Sequence, residues 1–218
     1  MFGKLNCLIT FASTKQTGMS KKHYFSHRDS FEKQQARLFA ASHYKGGKIL
    51  SLSASNFVFE QLMAQRTNQK IDAVEYSLTE YKQGLKTLKN VQNDYPNIGY
   101  SFDNIYNKKA TRYNFIFLDL CQSINTQNIP QICSWLRNYK GTVCITLMKA
   151  REYFDAKYLE LNGAADIQDF RDRVFPKIIE SFTGLKQVCD HYDYKNRTNT
   201  DGTKISVSTP MRIYTFTR

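Results

Sequence analysis

Three carboxylates occupy positions from which this sequence could do chemistry: Glu75, Asp103 and Asp119 each stand at or just after the end of a short apolar run. An acid closing a buried strand lies at the carboxyl rim of a sheet, where open α/β sheets bind their ligands, and it can accept hydrogen bonds from hydroxyls or an amine. Some twenty residues before Glu75, Lys48–Ile49–Leu50 runs into Ser51–Leu52–Ser53–Ala54–Ser55–Asn56–Phe57. Small residues let a backbone approach a ligand closely. A strand, a small-residue loop, a helix and a second strand ending on an acid together form the pattern of a nucleoside-holding unit.

The elements that must position these residues alternate along the chain. Asp29 or Ser30 can cap a helix carrying Phe31, Gln35, Leu38 and Phe39. Gly46–Gly47 ends it, and strand 48–52 follows, then helix 57–66 and strand 71–75. Helix 78–91 carries Tyr81, Leu85 and Leu88 on one face and lysines on the other. Strands are expected at 97–102, 113–120 and 142–148, with a helix at 129–136 that tolerates Pro130 in its first turn. A polar helical region covers about 150–182, with Pro176 as an internal break. Strands 185–194 and 212–217 close the chain. Such alternation implies an α/β fold with a mostly parallel sheet, helices on both faces, and one antiparallel strand in the closing hairpin.

At 218 residues the chain suits one domain with a real core, expected over residues 29–218, preceded by a basic arm at 1–28. Lys+Arg number 31 and Asp+Glu 19, a net charge of +12, which points to a polyanionic partner, nucleic acid before a membrane surface. Residues 1–48 hold nine basic and two acidic residues (9 − 2 = +7), leaving +5 for the remainder. Cys7, Cys121, Cys133, Cys144 and Cys189 have no zinc or disulfide spacing and read as free thiols of a reducing, intracellular (cytoplasmic) compartment. His23, His27, His43 and His191 show no ligand spacing, so no metal is expected. No segment reads as a signal peptide or membrane span.

Seven strands in this order, closing on a hairpin, resemble the class I S-adenosylmethionine-dependent methyltransferases, with their Rossmann-like fold, over nearly all of residues 30–218. The resemblance implies S-adenosylmethionine as cofactor. Ser51, Ser53, Ser55 and Phe57 align with the family's acid and three glycines; Ser53 and Ser55 would hydrogen-bond the cofactor's carboxylate. Phe57 would crowd the methionine moiety unless its ring points into helix packing. Glu75 corresponds to the ribose-holding acid, and Asp103, with Asn104 beside it, to the residue that meets the adenine amino group. Phe117–Leu118–Asp119–Leu120–Cys121–Gln122–Ser123 corresponds to the fourth-strand motif, with Asp119 in the catalytic position. That motif lacks the two prolines and the aromatic of amino-methylating DNA enzymes. Its Asp-x-x-x-Ser is distantly similar to certain tRNA guanine methyltransferases, which favours RNA slightly over DNA. Cys121 lacks the Pro-Cys setting of a covalent nucleophile.

Substrate contacts are expected from the basic residues. Lys21, Lys22 and Arg28 lie among His23, Tyr24 and Phe25, a mixture suited to phosphate contact and base stacking. Lys149 and Arg151 follow the fifth strand; Lys195 and Arg197 lie in a turn-rich loop. Three functions remain open: methyl transfer to a nucleic-acid base, a non-catalytic relative that binds nucleic acid or assists another enzyme, and a small-molecule methyltransferase.

Overall fold

The computed structural model describes residues 30–149, 154, 156–188, 191–195 and 210–218. The basic arm, Arg151 and Arg197 lie outside them, as do Cys7 and Cys189. Ser30 caps α1 (Phe31–Ser42), its side chain accepting from the Lys33 backbone N–H. There follow β1 (Ile49–Leu52), α2 (Val58–Ala64), β2 (Ile71–Glu75), α3 (Leu78–Asp94) and β3 (Ile98–Phe102). Two 3-10 turns, Ile105–Asn107 and Ala110–Arg112, lead to β4 (Phe115–Ser123), α4 (Asn128–Leu136) and β5 (Thr142–Met148).

The expected helical region after β5 is broken at Gly163, which takes φ 67°, and not at Pro176. It comprises α5 (Ala156–Leu161), α6 (Ile167–Asp169), a π-helical turn (Phe170–Val174) and α7 (Phe175–Thr183). Pro176 sits in the first turn of α7, where its missing N–H costs little. The expected strand 185–194 is two short strands, β6 (Lys186–Gln187) and β7 (Tyr192–Lys195). Both pair antiparallel with β8 (Pro210–Thr217), making eight strands where seven were expected.

Strand order is β3-β2-β1-β4-β5-β8-β6, with β7 also on β8. The first five are parallel; β8 runs antiparallel to β5. Side chains alternate between two cores, as the period of two demands. Leu50, Val74, Ile116, Leu118, Val143 and Ile145 face α4 and α7, while Ile49, Ile71, Phe115, Phe117 and Cys144 face α1, α2 and α3. Cys133 and Cys144 are buried free thiols. No described helix is long and apolar enough to cross a membrane.

Candidate functional site

The chain order reverses between β1 and β4, so a crevice is expected outside the carboxyl ends of these two strands. The register brings one transverse row of residues to that rim. Leu52 pairs with Val74 and Ser51 with Phe117, so the next outward residues are Ser53, Glu75 and, two beyond Phe117, Asp119. Glu75 pairs directly with Phe102, and Asp119 with Thr146. Glu75, Ser53, Asp119 and Thr146 thus run across four adjacent strands, spanning about 14 Å at the spacing of neighbouring strands. They share the face covered by α1–α3. Four consecutive polar side chains thus cross this face of the sheet at its rim.

Within this row Asp119 Oδ1 and Thr146 Oγ1 are buried and have no hydrogen-bond partner among the described residues. Buried polar atoms are nearly always paired, so two neighbouring orphans mark a place built to receive a donor. Asp119 Oδ2 lies 3.5 Å from Lys33 Nζ on α1. Asp119 is not the last residue of its strand, as the sequence implied. Instead β4 continues to Ser123, and its pairing with β5 shifts register between Asp119 and Ser123. Asn125 and Asn128, not Asp119, supply the side-chain bonds at the start of α4.

The loop between β1 and α2 is held by a group that the sequence did not single out. Glu60, in the first turn of α2, is 1% exposed, and Ser51 Oγ donates to its Oε1 at 2.5 Å. Burial pushes the Glu60 carboxyl above its usual range, opposed by the bonds from Ser51 and Ser53 and by the Arg37 charge. The single Ser53 hydroxyl proton can go either to Glu60 or to the Ala54 carbonyl, whose oxygen lies 2.9 Å from Oγ. Of the two hydroxyls expected to greet a cofactor carboxylate, Ser53 is thus engaged by the protein's own groups and Ser55 is half-buried in the turn. The signal for Glu60 was a single acid directly after the apolar run Phe57–Val58–Phe59.

Phe57 adopts φ 52°, ψ 32°, the left-handed conformation that glycine takes without penalty. Its ring is fully buried and meets Tyr100 edge-on at 4.6 Å, so it points into the helix packing and away from the rim. The Tyr100 hydroxyl in turn lies over Gly84 of α3; a Cβ there would sit 2.5 Å from it.

Glu75 is 6% exposed, with Oε1 accepting from the Ser77 backbone N–H at 2.7 Å. Burial raises its pKa; backbone N–H groups of Ser77 and Tyr76 oppose that. Tyr76, the next residue, is 68% exposed, an aromatic surface beside the acid that the sequence reading passed over. Asp103 follows β3 and is engaged locally. It accepts from the Asn104 N–H and from Asn107 Nδ2, both at 2.8 Å, and pairs with Lys108 at 3.0 Å. The Asn107 bond and then Lys108 hold its carboxyl below the usual range. Asn104 caps the 3-10 turn through the Tyr106 N–H.

Lys149 lies at the far end of the rim, bound to Asp193 Oδ2 at 2.6 Å. Asp193 also receives Arg212, from Nε at 2.6 Å and Nη2 at 2.9 Å, while Arg212 Nη1 bonds Asp172. Arg212 itself is 1% exposed. Burial opposes ionisation of Asp193, but Arg212 and Lys149 outweigh it and hold the carboxyl at about 2. Lys195 is exposed at the end of β7, distant in sheet order from β1 and β2. The structure thus gathers Ser51, Ser53, Glu75 and Asp119 around the switch point and sets Lys149 apart in an ion-pair network. Among the described residues no cluster of His, Cys, Asp or Glu could hold a metal.

No family model and no curated protein matches the sequence. Many solved structures match the fold. A precorrin-6y C5,15-methyltransferase from Geobacter metallireducens aligns at TM-score 0.55 and 13% identity, over 91% of this chain and 96% of that one. A candidate RNA methyltransferase from Pyrococcus horikoshii aligns at 0.57 and 10%, over 88% of each. TYW2 from M. jannaschii, solved in complex with AdoMet, aligns at 0.50 and 12%, over 88% of this chain and 78% of that one. With its strand order and antiparallel close, this chain has the Rossmann-like fold of the class I S-adenosylmethionine-dependent methyltransferases.

Proposed function

We propose that the protein is an S-adenosylmethionine-dependent methyltransferase acting on nucleic acid. The observation that carries this reading is the polar row Glu75–Ser53–Asp119–Thr146 across the switch point, with its two orphan acceptors. The residues fit a nucleoside cofactor. Glu75 is fixed by backbone donors and would accept the ribose hydroxyls, and the exposed Tyr76 ring offers the adenine a stacking face. Phe57, turned inward, leaves the approach to Ser53 and Ser55 clear of its ring. Asp103 and Asn104 lie on the loop beyond β3, with Asp103 available to the adenine amine only by exchanging a local bond. The cofactor supplies an activated methyl group.

The protein's part is alignment and exclusion of water. Asp119 would accept the proton side of an attacking amine through Oδ1, with Thr146 beside it and Lys33 holding the other oxygen. The net charge of +12 and the candidate RNA methyltransferase among the fold neighbours support a nucleic-acid substrate, RNA before DNA. One feature favours the non-catalytic reading: Ser51 and Ser53 are tied to Glu60. Transfer of labelled methyl to total RNA or DNA decides between them. Label in nucleic acid, lost in Glu75→Ala and Asp119→Asn, is the expected result. Cofactor binding without transfer to either polymer would support the inert relative or a small-molecule enzyme.

A further inference from the structure

Helix α3 presents only part of the face its sequence suggested. Of Tyr81, Leu85 and Leu88, expected on one face, Tyr81 and Leu88 are half-buried, Leu88 against the core, and Gly84 and Val91 are buried, while Leu85 is 40% and Leu78 51% exposed. At about 100° per residue, Leu78, Lys82, Leu85 and Lys89 fall within a sector of about 60°, with Lys86 some 40° beyond. All three lysines are exposed, and none has a carboxylate within ion-pair distance among the described residues. The acids of α3, Glu80 and Asp94, fall on the opposite side of the helix.

Beside this stripe lies β3, the last strand of the sheet on that side. Phe102 at its end is 49% exposed and meets Tyr81 at 5.4 Å; Tyr81 in turn meets Tyr100 at 4.9 Å. By the same count Tyr81 lies about 40° from Leu85, 80° from Lys89, 100° from Lys82 and 140° from Lys86, so the rings flank the lysine-bearing face across Leu85. Two copies of the chain meeting through this face would oppose like charges, which disfavours self-association.

We infer that the α3–β3 edge is a binding face for single-stranded nucleic acid, with phosphates along Lys82, Lys86 and Lys89 and bases stacking on Phe102 and Tyr81. Cations in a line beside aromatic rings are what a flexible polyanion with stackable bases requires. The inference deepens the nucleic-acid part of the proposed function and needs no bound cofactor. It assigns the contact to residues outside the arm and loops that the sequence pointed to.

The test is fluorescence anisotropy of labelled oligouridylate and oligothymidylate with the full chain, without S-adenosylmethionine, over a range of salt. Changing Lys82, Lys86 and Lys89 together to Gln should weaken binding at least tenfold and reduce the log–log salt slope by about 2–3. Phe102→Ala should weaken it about tenfold and leave the slope unchanged. An equal charge change at the exposed Lys140, Lys157 and Lys177, on elements of the opposite half, should have a smaller effect. Circular dichroism checks that each variant is folded. Equal loss from the two triple variants, no binding by the wild type, or binding to anionic lipid vesicles in place of oligonucleotides would each overturn the inference. Failure to bind S-adenosylmethionine, by contrast, would sink the methyltransferase reading and leave this result untouched.

Discussion

At the β8 end of the carboxyl rim, buried Arg212 meets two carboxylates, and one of these also holds Lys149. At the β1–β4 centre of the same rim, Asp119 and Thr146 keep buried oxygens without partners among the described residues, and Glu75 is held by backbone donors alone among its hydrogen bonds described. Both ends carry acids, Glu75 closing β2 and Asp119 within β4 at the centre, Asp193 within β7 and Asp172 in the π-helical turn at the other, so the presence of an acid does not distinguish them. Completeness of pairing does. A closed network of opposite charges has nothing left to offer a ligand, and its role is to fix β7, β8 and the π-helical turn together. A row with open acceptors has free hydrogen-bonding capacity, and that is where chemistry belongs.

The largest effect should come from opening the closed end. Arg212→Met leaves Asp172 and Asp193 without their shared cation. Loss of one partner from a fully buried ion pair destabilises by about 3–5 kcal/mol; here both acids left behind are more than a third exposed, so about 3 kcal/mol is expected, read in chemical denaturation. A loss under about 1 kcal/mol would show that the network is dispensable. At the centre, Phe57→Gly relieves a left-handed conformation worth about 1–2 kcal/mol. It also removes a fully buried ring, whose loss costs about 3–5 kcal/mol. Net destabilisation of about 2–3 kcal/mol is expected, even though the change restores the glycine of the related loops. A stabilised variant would mean that the ring contributes little.

Gly84→Ala tests the support beneath the same loop. Alanine favours the helix by about 1 kcal/mol, but its Cβ would lie 2.5 Å from the Tyr100 hydroxyl and 2.7 Å from its ring. Because Phe57 and Tyr81 flank that ring, overpacking should dominate, with a net loss of about 1–2 kcal/mol. The same change at Gly99, whose nearest neighbour is 3.6 Å away, should be close to neutral.

The smallest effect is one of pH. Asp193 titrates at about 2 when folded, below its unfolded value near 4. A depressed acid contributes stability that is present above the unfolded pKa and is lost as pH falls through the folded one. Between about pH 4 and pH 2 the wild type should lose stability that Asp193→Asn has already lost at neutral pH, so the two denaturation curves converge. Parallel curves down to pH 2 would contradict the coupling to Arg212.

Much of the fold was legible because each element announces itself locally: β1, β2 and β5 are apolar runs, and Ser30 is a helix cap. Glu75 was legible for the same reason, since it closes a strand whose register is set by its own apolar residues. Pairings between distant segments were not. Lys149 meets Asp193 across 44 residues, and no local pattern marks that bond. Glu60 looked like an ordinary helix acid until Ser51 was found donating to it. The helical period of α3 placed Tyr81 and Leu88 inward and the lysines outward; Leu85 is the exception, and Gly84, with no side chain, is what lets Tyr100 lie against the helix. The direction of the Phe57 ring followed from a backbone angle that a sequence does not print.

The centre of the rim should hold S-adenosylmethionine and the β8 end should not. Isothermal titration of wild type, Glu75→Ala and Asp193→Asn with S-adenosylmethionine addresses it directly. The expected result is micromolar binding by the wild type and by folded Asp193→Asn, and none by folded Glu75→Ala. No heat from the wild type, or equal affinity in all three, would contradict it.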